Sequence, residues 1–190
     1  MCRAAVLHPT CAEKSANAWA KHRCKHADTQ AAAATNSCVC YARAVNSAKL
    51  LDFLRSHRLA VQASVSAAGR PQAAIVGFAV SDQFEIVFDT LGATRKGENL
   101  RRNPRIALVI GGWVAGDERT AQYEGEADEP TGAERARITE VYYSVYPDGR
   151  QRANWPGMTY FRVKPRWIRY SDYNQNPPGI VEFQANELMH

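Results

Sequence analysis

Between Leu59 and Ser171 the chain is written in short runs that alternate apolar with polar residues, and this period of two restricts its fold more than any other feature. Leu59, Val61, Ala63 and Val65 alternate with Gln62, Ser64 and Ser66, the period of a half-buried strand. After the turn Ala68-Gly69-Arg70-Pro71, a second strand is predicted over Gln72 to Val80. A third follows Ser81-Asp82-Gln83 and covers Phe84 to Asp89, with Phe84, Ile86 and Phe88 on one face. These three read as an antiparallel meander. Further strands are predicted over Arg105 to Ile110, ended by Gly111-Gly112, and over Arg119 to Ala127, where Thr120, Gln122, Glu124 and Glu126 share a face. Two last strands, Met158 to Lys164 and Arg166 to Ser171, flank Pro165. The tail after Asn176-Pro177-Pro178 has little room to fold.

Helical periodicity is sparse. Asn46 or Ser47 caps a short helix with the stripe Leu50, Leu51, Leu54, ending near His57-Arg58. A second short helix lies between Thr94 and Asn103-Pro104. A third carries the stripe Ile138, Val141, Tyr142, Val145 behind a capping box of Thr131 and Glu134, and stops at Pro147-Asp148-Gly149. Six or seven strands with short inserted helices predict a mainly β chain folded as a small barrel.

The first 45 residues differ in kind. All five cysteines, Cys2, Cys11, Cys24, Cys38 and Cys40, lie there, and so do six basic residues against two acidic ones, which is most of the net charge of +5. An odd cysteine count at irregular spacing is no disulfide framework. His22, Cys24 and His26 are zinc-type ligands, but their alternate spacing matches no common zinc motif. Residues 1–45 are therefore expected to be a disordered or spurious extension, with a native start near Val45; a transit peptide is the alternative. The remaining body is nearly neutral, which disfavours phosphate-backbone binding, so nucleic acid is not an expected partner. No apolar run reaches the ~18 residues of a membrane span, and a cytoplasmic protein is the default.

Candidate chemistry is thin. The body has one central histidine, His57, so neither a histidine triad nor a histidine-rich metal site can be assembled, and no metal is expected. Arg95 and Lys96, directly after Thr94, place two cations at the positive end of a helix dipole, at about 0.3–1 kcal/mol each when nothing neutralises them. A bound phosphate would reverse that sign, gathering helix N–H groups, the Thr94 hydroxyl and two cationic heads. Side chains pointing into solvent are the alternative, and spacing alone leaves both open. Arg101, Arg102 and Arg105 read as a solvated face or interface rim. Six aromatics crowd the segment from Trp155 to Tyr173; most suit a core or subunit interface, while Trp167, near Pro165, suits a ring at a site edge.

The order of these pieces resembles the pyridoxamine 5′-phosphate oxidase-like flavoproteins. The resemblance rests on Phe88-Asp89-Thr90-Leu91-Gly92-Ala93-Thr94-Arg95-Lys96, on Asn103-Pro104-Arg105, and on Tyr160-Phe161-Arg162-Val163-Lys164-Pro165-Arg166-Trp167-Ile168-Arg169. It implies an FMN-binding split β-barrel over residues 46–183, followed by a tail at 184–190, and a homodimer with the flavin between subunits. It implies that Thr94, Arg95 and Lys96 grip the cofactor phosphate, that Thr90 touches the flavin, and that Gln122, in preference to Thr120, supplies an amide contact. Trp167 is added as a cofactor-binding candidate. The catalytic residues and the small-molecule substrate are not specified. The strand Gln72 to Phe78 lacks the cations that the oxidase proper places there, and the C-terminal region lacks its Arg-Leu-His element. The expected activity is thus an FMN-dependent oxidoreductase that does not act on pyridoxamine phosphate. The alternatives are a deazaflavin F420-dependent reductase and a non-catalytic flavin-binding stress protein.

Overall fold

The computed structural model describes residues 45–188, so the expectations for residues 1–44 lie outside the described residues. Helix α1 (Ser47–Arg55) begins where predicted, with the Asn46 side chain accepting from the Lys49 N–H at 3.0 Å. Its buried Leu50, Phe53 and Leu54 join the main core, and Val45 packs against the same cluster. Eight antiparallel strands follow: β1 (Leu59–Val65), β2 (Pro71–Gly77), β3 (Ala79–Val80), β4 (Ile86–Leu91), β5 (Arg105–Gly111), β6 (Arg119–Asp128), β7 (Met158–Asp172) and β8 (Gly179–Gln184). Helices α2 (Arg95–Arg102), α3 (Gly132–Val145) and α4 (Gly149–Arg152) are inserted between them.

The sheet order is β2-β1-β5-β6-β7-β4-β3, with β8 added to β7. Its two ends are neighbours in sequence, because only Phe78 separates β2 from β3. The sheet therefore curls into a split β-barrel whose first and last strands are one stretch of chain. The predicted meander is not formed. β1 and β2 make a hairpin around Gly69, and β3 and β4 make another, but β2 turns away from β4 at buried Phe78 to complete the curl.

Pro165 does not divide the last hairpin into two strands. β7 runs through it because the register against β6 already shifts between Glu124 and Gly125, and a proline without an N–H costs least where the ladder is broken. The same point splits the sheet. Residues before Pro165 pair with β4, and residues after it pair with β8. The tail also folds, against expectation: β8 pairs with β7, a 3₁₀ turn covers Ala185–Glu187, and Phe183 and Leu188 are buried in the core.

Helix α3 covers the outer side of β3, β4 and β7, where Ile138 and Tyr142 meet Ala79, Val87 and Tyr160 in a second apolar cluster. Its predicted capping box is absent, since the Thr131 side chain makes no cap bond. Glu134 instead accepts from Arg137 at 3.0 Å and from Arg162 at 2.7 Å. Such charge-assisted bonds outcompete a neutral backbone N–H for one carboxylate. Arg162 also pairs with Asp128, and Arg137 with buried Glu85 at 2.8 Å, so these groups form a network beneath the helix.

The β1 strand departs most from its pattern. A half-buried strand ordinarily buries its apolar half, yet here Ala60, Gln62 and Ser64 face inward and are buried, while Leu59, Val61, Ala63 and Val65 face out.

Candidate functional site

Thr94 is the N-cap of α2, with extended backbone, and its hydroxyl accepts from the Gly97 N–H at 3.5 Å while lying 3.1 Å from the Thr90 hydroxyl. Gly97 has no room for a side chain, because a Cβ there would come within 2.8 Å of the Gly92 carbonyl oxygen. The loop from Leu91 to Thr94 is pinned against this turn. The Gly92 N–H donates to the Gly157 carbonyl at 2.8 Å, and Arg101 donates to the Gly92 carbonyl at 2.6 Å. Arg101 also holds both carboxylate oxygens of Glu129, at 2.6 and 2.9 Å, and Thr159 donates to the same carboxylate. Hydrogen bonds from Arg101 keep the Glu129 carboxyl below the ordinary glutamate range. Arg101 and Arg102 are exposed, as a solvated face requires, yet they also tie the helix down, Arg102 donating to Asn99 Oδ1 at 2.9 Å.

Arg95 and Lys96 stand apart from this network, for neither makes an ion pair among the described residues. Glu98 supplies one acidic group in the first turn and partly offsets them. The two cations and Thr94 form one wall of a cleft of about 350 Å³, whose other wall is built by Gln62, Ser64, Gln72, Ala73 and Ala74 of β1 and β2. Among the described residues no carboxylate lines it. Asn99, buried on the inner side of α2, donates to Ser64 Oγ at 3.2 Å and to Gln72 Oε1 at 2.8 Å, tying the helix to the sheet. Gln62 is 1% exposed, and its Oε1 has no hydrogen-bond partner among the described residues. Helix N–H groups, a hydroxyl and two unpaired cations suit a phosphate monoester, and the unpartnered Gln62 oxygen adds an acceptor to the wall across from them.

Of the residues singled out from sequence, Thr90, Thr94, Arg95 and Lys96 are brought together. Gln122 and Trp167 are not at this cleft. Gln122 sits on the outward face of β6, opposite Val109 on one side and Arg169 on the other. Trp167 lies on the same outward side of β7, opposite Glu124, and its indole N–H donates to Glu182 at 3.3 Å. His57 packs against Phe53, with Nδ1 2.9 Å from the Phe53 carbonyl oxygen, a structural position. No group of three metal-ligating side chains occurs among the described residues. Sequence reasoning missed Gln62, Ser64, Gln72 and Asn99. The available signal was the polar half of the β1 alternation, which was open to being read as the solvent face.

The family model for pyridoxamine 5′-phosphate oxidase matches residues 47–172. A curated pyridoxine/pyridoxamine 5′-phosphate oxidase of Cupriavidus pinatubonensis is 32% identical over 134 residues, covering 67% of this chain and 60% of the relative. The chain spans 40 to 60% of the length of the curated relatives it matches. Among solved structures, a heme binding protein from Mycobacterium smegmatis superposes with a TM-score of 0.66 at 15% identity, covering 76% of this chain and 60% of that one. A pyridoxamine 5′-phosphate oxidase-related, FMN binding protein from Nostoc punctiforme gives 0.55 at 13%, covering 72% and 87%. At these identities the two structures establish the split-barrel fold alone. The family model spans most of the chain and contains both the helix start and the late hairpin, so the chain belongs to the pyridoxamine 5′-phosphate oxidase family.

Proposed function

We propose that this chain binds FMN and is a flavin-dependent oxidoreductase, with the α2 start as the seat of the cofactor phosphate. The observation that carries this reading is the pair of unpaired cations, Arg95 and Lys96, beside the Thr94 cap in a cleft free of carboxylates. Family membership and the Nostoc relative's description as FMN binding support it. Bound FMN would supply the hydride and electron chemistry, which fits a body without a triad or metal cluster among its described residues. The chain's own groups bind and orient. Arg95 and Lys96 neutralise the phosphate, Thr90 and Thr94 offer hydroxyls beside it, and Arg101 with Glu129 holds the loop in place.

Pyridoxamine 5′-phosphate is not the proposed substrate, because β2 carries no arginine or lysine. We further propose a cytoplasmic homodimer. Leu59, Val65, Ile75 and Val109 form an exposed apolar patch on the outward face of β1, β2 and β5, with Ile75 69% exposed. A second copy on this face would cover it. F420 in the same anion site and a non-catalytic flavin protein are the competing readings, and the absorption spectrum of the purified protein separates FMN from F420.

Replacing Arg95 and Lys96 together by alanine should weaken FMN by about two to four orders of magnitude, each charge-assisted contact counting for about 1.5–3 kcal/mol. Riboflavin, which lacks the phosphate, serves as the control in the same titration and should lose far less. Equal losses for both ligands would remove the phosphate from this helix start.

A further inference from the structure

Gln62 has no role in the fold that accounts for its amide. It faces the interior of β1 between Ala60 and Ser64, beside strands whose inward residues are Leu108 and Ala74, and it is 1% exposed. Its polar neighbours are satisfied, Ser64 and Gln72 each accepting from Asn99, while Gln62 Oε1 has no partner. A buried carbonyl left unpaired carries a desolvation cost that leucine at this position would avoid. Unlike the cations across the cleft, an amide oxygen can only accept a hydrogen bond, and a phosphate dianion has no proton to give. A hydroxyl or N–H carried by the same ligand, close to its anionic end, would satisfy Gln62 Oε1.

We propose that Gln62 is a specificity-determining residue of this cleft, accepting from a hydroxyl on the chain that bears the phosphate, so that the site takes a polyol phosphate in preference to phosphate alone. This deepens the flavin reading and rests on the phosphate seat at the start of α2. The ribityl phosphate shared by FMN and F420 has the required chemistry.

The test compares wild type with Gln62→Leu, using ribitol 5-phosphate, inorganic phosphate and FMN in calorimetric titrations of the cofactor-free chain, alongside its thermal unfolding. Gln62→Leu should weaken ribitol 5-phosphate and FMN by about tenfold, leave inorganic phosphate unchanged, and not lower the melting temperature. Gln62→Met, closer in shape, should give the same contrast if leucine disturbs packing. Unchanged affinity for ribitol 5-phosphate would overturn the proposal. So would equal losses for ribitol 5-phosphate and inorganic phosphate, which would mean that the amide donates to the phosphate. A wild-type chain that binds ribitol 5-phosphate with this Gln62 dependence but not FMN or F420 would sink the flavin reading and keep the Gln62 assignment. FMN binding with F420 excluded would fix the source of the polyol phosphate. A chain that binds none of these would overturn both.

Discussion

The β4–β7 side of the barrel and the β1–β2 side are built by opposite rules. On the first, both sheet faces are covered by the chain itself: Ile86, Phe88, Phe161 and Val163 fill the barrel, and Val87 and Tyr160 lie under α3. On the second, the inner face carries Gln62 and Ser64 and the outer face carries Leu59, Val65 and Ile75, with none of the described residues packed above them. A strand whose apolar half points outward is stable only where something else covers it, and polar groups turned inward are tolerated only where they find partners. The first side is thus an ordinary two-faced core, while the second is organised around a cleft within and a second surface without.

The largest expected effect tests the self-sufficient side. Phe161 stacks on Phe88 with ring centroids 5.6 Å apart, both fully buried. Phe161→Ala should cost about 3–5 kcal/mol in urea unfolding, by an amount independent of protein concentration. A concentration-dependent loss would show that this side also leans on a partner.

The next addresses the other side. Ile75→Asp should weaken self-association by about a hundredfold, roughly 2.7 kcal/mol, read by sedimentation equilibrium. The unfolding of dilute monomer should hardly change, because Ile75 is already in solvent there. A wild-type chain that is monomeric at micromolar concentration while holding flavin would end the shared-face account.

The smallest effect lies at the seam between the two sides, where Arg101 joins α2 to Glu129 at the end of β6. The Glu129 carboxyl is held below its ordinary value by the Arg101 hydrogen bonds, so its contribution is complete above the unfolded value near 4.5 and fades as pH falls through the lower folded value. Glu129→Gln should therefore be less stable than wild type at neutral pH, by at most about 1 kcal/mol since both side chains are partly in solvent. That gap should close as the pH drops below 4.5. A gap that persists in acid would assign the loss to shape rather than charge.

The same contrast explains what could be read from the sequence. Strand positions, the α2 start and the Thr94-Arg95-Lys96 grouping were legible because caps, glycines and period two are local signals. The face of β1 was not, since alternation gives a period without saying which half is inside; that depends on the cleft and on whatever lies beyond the sheet. Pro165 looked like a break because a local rule was applied where β7 changes neighbours. The β8 segment was missed for the opposite reason, its single strand acquiring a partner only through β7. Gln62 was visible as a residue but not as a site, because its isolation from hydrogen-bond partners exists only once the barrel has curled.

Closure through Phe78 gives the barrel the character of a belt with one buckle. Tyr146, at the end of α3, donates to the Arg58 carbonyl and abuts Gly77, while the Phe78 N–H donates to the same carbonyl at 3.1 Å. At this point β2, one wall of the cleft, meets β3, which pairs with the β4 strand that carries Thr90. One wall of the cleft and the strand that carries Thr90 are thus both anchored from behind, at the end of α3.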